Sequence, residues 1–306
     1  MKKIISLVLA MIMIITCVSV MASCNNGTET DTTDTGTETG TSAADTPKVK
    51  VYTEYDLTSE KYAFAVSKEN TALKEAANEL LAELKANGKL EEIINAFFDG
   101  SAEFTYTNPV SAVPSGDERD DYLVVATNAY FPPFEHYQGN KISGIDMQIG
   151  YLLAEKLGKT LYIYDMEFDS VIISVKNGQA DIGMAGMTVN EERLKTVDFT
   201  SEYYESAQVL VVRGDDTVFA DCKSAEDIVA KIGEQKSSFK VGAQNGTTGY
   251  MYSAGDEGFG YDGFKNLTTT GYTTGALAIR DLANKKIDAV IIDKQPAIMI
   301  AASTNK

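Results

Sequence analysis

Ala185-Gly186-Met187-Thr188-Val189-Asn190-Glu191-Glu192-Arg193 follows a short, mostly apolar run, Ala180 to Met184, that reads as a strand preceded by Gly178. The stretch therefore lies where a buried strand gives way to a loop, and in open α/β sheets that edge is where ligands bind. A glycine lets a ligand approach backbone, a threonine hydroxyl both donates and accepts, and an arginine offers a planar fork that matches a carboxylate. Together they suit the zwitterionic head of an α-amino acid. Each also has a plainer reading: Gly186 as a turn, Thr188 as a helix cap, Arg193 as an exposed partner of Glu191 or Glu192.

Outward from this stretch the chain alternates strands and helices. Upstream come a strand over Tyr122 to Thr127, a helix from Asp146 to Leu157 ended by Gly158, a strand from Leu161 to Tyr164 and a helix from about Asp169. Downstream, Val209 to Val212 reads as a strand that crosses to a second unit. That unit opens on Ser224-Ala225-Glu226-Asp227, a capping-box pattern, and continues through a strand from Phe239 to Ala243. A helix after Thr248, another near Gly275 to Ala283, a strand from Ala289 to Ile292 and a helix ending near Ala302 complete it. Such alternation predicts an α/β fold, a mostly parallel sheet with helices on both faces in each of two similar lobes.

The loop from Ala185 to Arg193 resembles the binding loop of the polar-amino-acid receptors that feed ABC importers, the family 3 extracellular solute-binding proteins. Val125-Ala126-Thr127-Asn128-Ala129-Tyr130-Phe131-Pro132-Pro133-Phe134-Glu135, Asp198-Phe199-Thr200, Gly246-Thr247-Thr248 and Asp288-Ala289-Val290-Ile291-Ile292-Asp293 look like further landmarks of that family, in family order. The resemblance covers roughly 48–305 and implies a type II periplasmic-binding-protein fold. One block is out of place. Lys48 to Phe98 carries two short strands, at Lys48 to Val51 and Tyr62 to Val66, then a helix over Thr71 to Ala86 capped by Asn70, then a second amphipathic piece with Leu90, Ile93, Ile94 and Phe97. It resembles the C-terminal end of the family, yet here it comes first, and the chain stops where a family member would continue. This predicts a circular permutation: 48–57 as a crossing strand and second hinge, 58–209 as lobe 1 with 99–121 joining the old end to the old beginning, and 210–306 as lobe 2. Fewer covalent hinges would then join the lobes. The rival reading makes 48–98 a remnant of a neighbouring copy that packs nowhere.

Carried over residue by residue, the resemblance gives Arg193 the ligand carboxylate, with a backbone N–H of Thr248 at a helix N-terminus as a second donor. Asp293 would face the ammonium with the Gly186 carbonyl and the Thr188 hydroxyl. Phe131 and Phe168 match positions whose rings sandwich the ligand side chain, while Asn128, Gln244 and Ile292 match positions that vary with the ligand. The absence of Lys or Arg there weighs against an acidic ligand; a polar neutral or basic one fits. Plainer readings remain: Asp293 as a cap on the helix containing Pro296, Gly246-Thr247-Thr248 as an ordinary turn and cap, and Phe134 as core.

Before all this stand Lys2 and Lys3, an apolar run from Ile4 to Val20 and Met21-Ala22-Ser23-Cys24, the layout of a secretory signal, with a retained anchor helix as the rival. The segment resembles a bacterial lipobox, which makes 1–23 a lipoprotein signal peptide and Cys24 the lipidated N-terminus of an extracytoplasmic, membrane-anchored protein. Residues 24–47 are too polar to bury anything and read as a tether of about 25 to 30 Å. A chain of 306 residues that is 44% apolar has enough for real cores. A net charge of −17 argues against nucleic acid or anionic lipid as partner of the folded part. The expected partners are a free amino acid and an ABC permease, for a monomer without cofactor or metal. Cys222 reads as a small buried residue, not half of a disulfide. An enzyme of dehydratase or cell-wall-lytic type is the second hypothesis, resting on Glu135 or Asp293 as acid–base groups. Against it, the only histidine, His136, reads as a surface loop residue and Glu135 as the cap of a turn. A ligand-sensing module for a signalling partner is the third.

Overall fold

The computed structural model describes residues 46–306; the expected signal peptide, Cys24 and nearly all of the tether lie outside them. Among the described residues the chain begins with β1 (Val49–Val51), β2 (Glu60–Tyr62) and β3 (Ala65–Val66), followed by α1 (Thr71–Ala86) and α2 (Lys89–Asp99). After 99–121 come β4 (Tyr122–Thr127), β5 (Tyr130–Phe131), β6 (Glu135–Gln138), β7 (Lys141–Ser143), α3 (Ile145–Lys156), β8 (Thr160–Asp165) and α4 (Phe168–Lys176). Next are β9 (Ile182–Gly183), α5 (Glu191–Thr196), β10 (Asp198–Phe199), β11 (Tyr204–Ser206) and β12 (Gln208–Arg213). The remainder is α6 (Ala225–Gly233), β13 (Lys240–Gln244), α7 (Thr248–Ala254), β14 (Thr268–Tyr272), α8 (Gly275–Ala283), β15 (Ala289–Asp293) and α9 (Lys294–Thr304).

Two five-stranded sheets organise these elements. The first runs β10-β3-β9-β4-β8, parallel across β9, β4 and β8, with β3 antiparallel to both neighbours. The second runs β1-β12-β15-β13-β14, parallel across β15, β13 and β14 and antiparallel at β12 and β1. The fold is the α/β type II arrangement, with one such sheet in each lobe. A small antiparallel sheet, β5-β6-β7, sits beside the first.

The displaced N-terminal block is part of this fabric. Its strand β3 lies inside the first sheet, between β9 and the edge strand β10. Its helix α1 buries Leu73, Ala77, Leu80, Leu81 and Leu84, an i, i+4, i+7, i+8, i+11 stripe, against the side of the sheet that carries Leu123 and Val125. Asn70 caps it by accepting from the Leu73 N–H at 3.2 Å. The joining segment is pinned as well: Tyr106 bridges Ile142, and the Asn108 side chain makes two 2.8 Å bonds to the backbone of Ile163.

The sequence expectation for the hinges is corrected in two respects. Lys48 to Val51 does not cross between lobes; β1 is the edge strand of the second sheet, paired to β12 from Val49↔Arg213 to Val51↔Val211. The lobes are instead joined by two crossings that pair with each other, β2 with β11. The number of covalent connections is therefore two, not fewer. Similarly, Val209 to Val212 does not cross: β12 lies wholly in the second sheet, and the crossing is β11, which leads into it through Ala207. Among the described residues no helix is long and apolar enough to cross a membrane.

Candidate functional site

Strand β9 ends and the chain turns at Gly186, whose φ of 52° is left-handed and whose Cα lies so close to Phe131 that an added Cβ would meet the ring at 2.7 Å. Only glycine suits that position. Its N–H donates to the buried Asp146 carboxyl at 2.9 Å, which fixes the turn. The chain then runs past Thr188 to Asn190, whose side chain accepts from the Arg193 N–H and starts α5. Asn190, not Thr188, is the cap. That start aims Arg193 inward: it is 6% exposed and pairs with neither Glu191 nor Glu192.

The guanidinium donates to the Thr188 carbonyl at 2.6 Å and, from the other nitrogen, to the Gly246 carbonyl of the second lobe at 3.0 Å. It is flanked by the rings of Phe168 and Phe259, at 5.5 and 5.6 Å from their centroids. Opposite, Gly246 (φ 73°) turns the chain after β13, and Thr247 caps α7 by accepting from the Tyr250 N–H. The plain cap reading thus holds for Thr247 and leaves Thr248 free for other work. On β15, Asp293 is 4% exposed and makes no capping bond to α9. Its carboxyl instead accepts from the Tyr62 hydroxyl.

These side chains surround one narrow cavity between the lobes, lined by Asn128, Phe131, Phe168, Gly186, Thr188, Arg193, Gln244, Thr247, Thr248 and Asp293. Of the residues expected from the sequence only Ile292 is absent. Neighbouring strand residues point to opposite faces, so with Asp293 facing the cleft, Ile292 packs behind the sheet in the core with Val209, Ile279 and Ile300. Asn128 and Gln244 meet across the cleft, the Gln244 amide N–H donating to the Asn128 carbonyl oxygen at 2.9 Å. Two polar atoms on this wall, Thr248 Oγ1 and Gln244 Oε1, are buried without a partner. Phe134 is core, as expected, and so is Cys222.

Three residues at the site were not anticipated: Glu60, Tyr62 and Gln208. All belong to the crossings or their flanks, and Glu60 and Tyr62 share the inward face of β2. Glu60 accepts from Thr188 Oγ1 at 2.6 Å, Thr58 Oγ1 at 2.5 Å and Gln208 Nε2 at 3.0 Å. The parity of Glu60-Lys61-Tyr62, polar and aromatic on one side and lysine on the other, was the signal available.

Burial dominates the electrostatics. Desolvation, followed by the nearby Glu60 carboxyl, raises Asp293 to about 7. Desolvation also raises Asp146 to about 7, against the bonds from Gly186 and Tyr203 that pull it down. Glu135 is fully buried, neither oxygen has a partner, and burial with Asp146 and Asp293 nearby pushes it well above the usual range. It caps no turn. His136 lies on β6 half-buried, not on a surface loop, and burial lowers it. Burial lowers Arg193 to about 10, offset by Glu60 and Asp293.

Linkage then has a definite sign. A carboxyl whose folded pKa is raised keeps a proton that the unfolded chain releases, so stability is highest below the unfolded value and declines as pH rises through the folded one. For Asp146 and Asp293 that window runs from about pH 4 to 7. His136 opposes them, and at the acid end so do the exposed carboxyls of Asp99, Asp215, Glu226 and Asp281, which their hydrogen bonds lower. The melting temperature of ligand-free protein should therefore fall between about pH 5, where the lowered carboxyls have ionised, and about pH 7, read by a differential scanning series. A flat or rising series would contradict these carboxyl assignments.

The sequence profile of the bacterial extracellular solute-binding proteins, family 3, matches residues 123–295. The arginine-binding extracellular protein ArtP of Bacillus subtilis is 34% identical over 119 residues, 39% of this chain and 45% of that protein. ABC transporter arginine-binding protein 1 of Escherichia coli is 30% identical over 181 residues, 58% of this chain and 65% of that protein. The chain thus matches less than two thirds of the length of these curated relatives. Among solved structures, an ancestral amino acid-binding protein described as a precursor of cyclohexadienyl dehydratase superposes with a TM-score of 0.52 at 28% identity, over 60% of this chain and 75% of that one.

Proposed function

The chain belongs to the bacterial extracellular solute-binding proteins, family 3, and on that premise we propose that it captures an extracellular α-amino acid, polar neutral or basic, between two closing lobes and delivers it to an ABC importer. One observation carries the reading. Arg193 on lobe 1 and Asp293 on lobe 2, both almost fully buried, face one cavity from opposite sides. A ligand with a carboxylate and an ammonium would exchange the neutral carbonyls on Arg193 for a charge and give Asp293 a cation, which stabilises the closed state by contacts the open state lacks. The Thr248 and Gln244 atoms without partners supply a further donor and acceptor for it.

A basic side chain fits best within this class. Glu60 and Asp293 place two carboxyl groups against the single guanidinium of Arg193, so a zwitterion leaves an acid in excess and a second cation balances it. Phe131 and Phe168 offer it π faces. The two curated relatives named above are called arginine-binding, in agreement. An enzymatic reading would need an acid–base pair at the cavity, and of its two candidates Asp293 lines the cavity while Glu135 does not.

The block 48–98 we read as the family's C-terminal portion moved to the front. It lies outside the matched 123–295, it supplies β3 and α1 to lobe 1, and Val49 is bonded in both directions to the Asn305 side chain, at 3.0 and 2.9 Å. Cys24 as a lipid anchor belongs to the same proposal; Cys24→Ala should release the protein from membranes.

The test is a thermal-shift screen of residues 48–306 with the common amino acids, ornithine and cystine. A ligand at a thousand times its dissociation constant adds about 4 kcal/mol, roughly ten degrees here. Shifts confined to arginine, lysine or ornithine support the basic ligand. No shift with any of them in a cooperatively melting protein would sink the receptor reading.

A further inference from the structure

Thr188 Oγ1 has one proton to give, and it gives it to Glu60 Oε2 at 2.6 Å. A hydroxyl can donate once and accept twice. With its proton held, only lone pairs remain to face the cavity that Thr188 lines. Glu60 cannot turn away, because its other oxygen takes the Thr58 hydroxyl at 2.5 Å and the Gln208 amide at 3.0 Å. Gln208 in turn stands opposite Asp293 in the sheet register, and the Gln208 N–H donates to Thr58 Oγ1 at 2.8 Å. The carboxyl of Glu60 is thus tied to both crossings and to the binding loop at once, while being 4% exposed itself.

We propose that Glu60 is a positioning residue for ammonium recognition: by holding the Thr188 proton it makes that hydroxyl an obligate acceptor, aimed with Asp293 at the ligand α-ammonium. The inference rests on the amino-acid reading of the cleft and adds a residue that the binding loop alone does not contain. The oriented lone pairs attract an N–H donor and repel a carboxylate oxygen, so Glu60 also fixes which end of the ligand lies where. Because Glu60 is anchored to the crossings, the acceptor is set by the hinge and not by the ligand.

The experiment compares L-arginine with its des-amino analogue, 5-guanidinopentanoic acid, by calorimetry or competition on wild type, Glu60→Gln and Glu60→Asp. Glutamine keeps the shape but puts an N–H2 among three donors; aspartate keeps the charge but withdraws it from Thr188. Both variants should weaken arginine, Glu60→Gln by at least about tenfold, while the analogue changes by less than about twofold. A merely structural role would weaken both ligands alike. Equal losses for the two ligands, or no loss for arginine, overturn the proposal, as does Glu60→Asp binding like wild type, since charge alone would then suffice. If Glu60→Gln does not melt cooperatively, Glu60→Asp decides by the same comparison. Wild type that binds no α-amino acid overturns the ligand reading and this inference with it; wild type that binds arginine with the variants unchanged overturns this inference alone.

Discussion

Arg193→Ala should lower affinity for an α-amino acid by roughly thirtyfold to several thousandfold, the range that a loss of about 2 to 5 kcal/mol implies for a buried, hydrogen-bonded charge pair deprived of one partner. The reason lies in where the guanidinium sits. It is buried between two aromatic rings and its forked donors span the cleft, one on Thr188 and one on Gly246. A ligand carboxylate there has no other cation, and left unpaired in a closed cavity it is costly to desolvate. The same substitution removes a lobe-to-lobe contact that needs no ligand, so the variant should also favour the open state. Titration calorimetry measures the first effect and scattering of the ligand-free protein the second. Undiminished affinity would remove Arg193 from the site; Arg193→Lys, which keeps the charge but not the fork, should fall in between.

Removing residues 48–100 should abolish cooperative folding. The block contributes Tyr62, Phe64, Leu73, Leu80, Leu81, Leu84, Leu90, Ile93 and Phe97 to the lobe 1 core. At roughly 1.5 to 3 kcal/mol for each buried side chain this exceeds the net stability of about 5 to 15 kcal/mol typical of a whole protein. It would also withdraw β3 from the interior of a sheet, leaving β9 and β10 without a partner between them. The complementary experiment rearranges the chain instead of cutting it. A chain that runs from Tyr122 to Asn305, continues through a short linker into Lys48 and ends at Asp99 should fold and bind as the natural order does, because Lys48 Nζ reaches the Thr304 carbonyl at 2.9 Å and Val49 is bonded to Asn305. A rearranged chain that fails to melt cooperatively, with a truncated one that melts normally, would mean that the block is a remnant and not a permuted end.

Much of the candidate site was legible because its residues lie where strands end. Gly186, Thr188 and Arg193 follow β9, Thr248 follows β13 and Asp293 closes β15, and position at a strand end is a local property that an apolar run followed by Gly, Thr or Asp announces. Ile292 was misplaced for an equally local reason: it adjoins Asp293, and neighbours on a strand cannot both face the cleft. α1 was read to its ends, since Asn70, a regular leucine stripe and Gly88 are all local signals. β14, Thr268-Thr269-Thr270-Gly271-Tyr272, was not, because it has no apolar alternation and owes its existence to pairing with β13.

What the sequence determined by itself is the main helices, the longer buried strands and the loops at their ends, since helix periodicity, caps and strand ends are written in neighbouring residues. The tertiary structure alone decided which elements share a sheet, that β1 is an edge strand instead of a crossing, and that Glu60, Tyr62 and Gln208 converge on Thr188 and Asp293. Glu60 and Thr188 are 128 positions apart, Tyr62 and Asp293 231. Contacts over such separations come from packing two lobes around a hinge, and no local pattern encodes the partner of a buried carboxyl; only the fold brings it there.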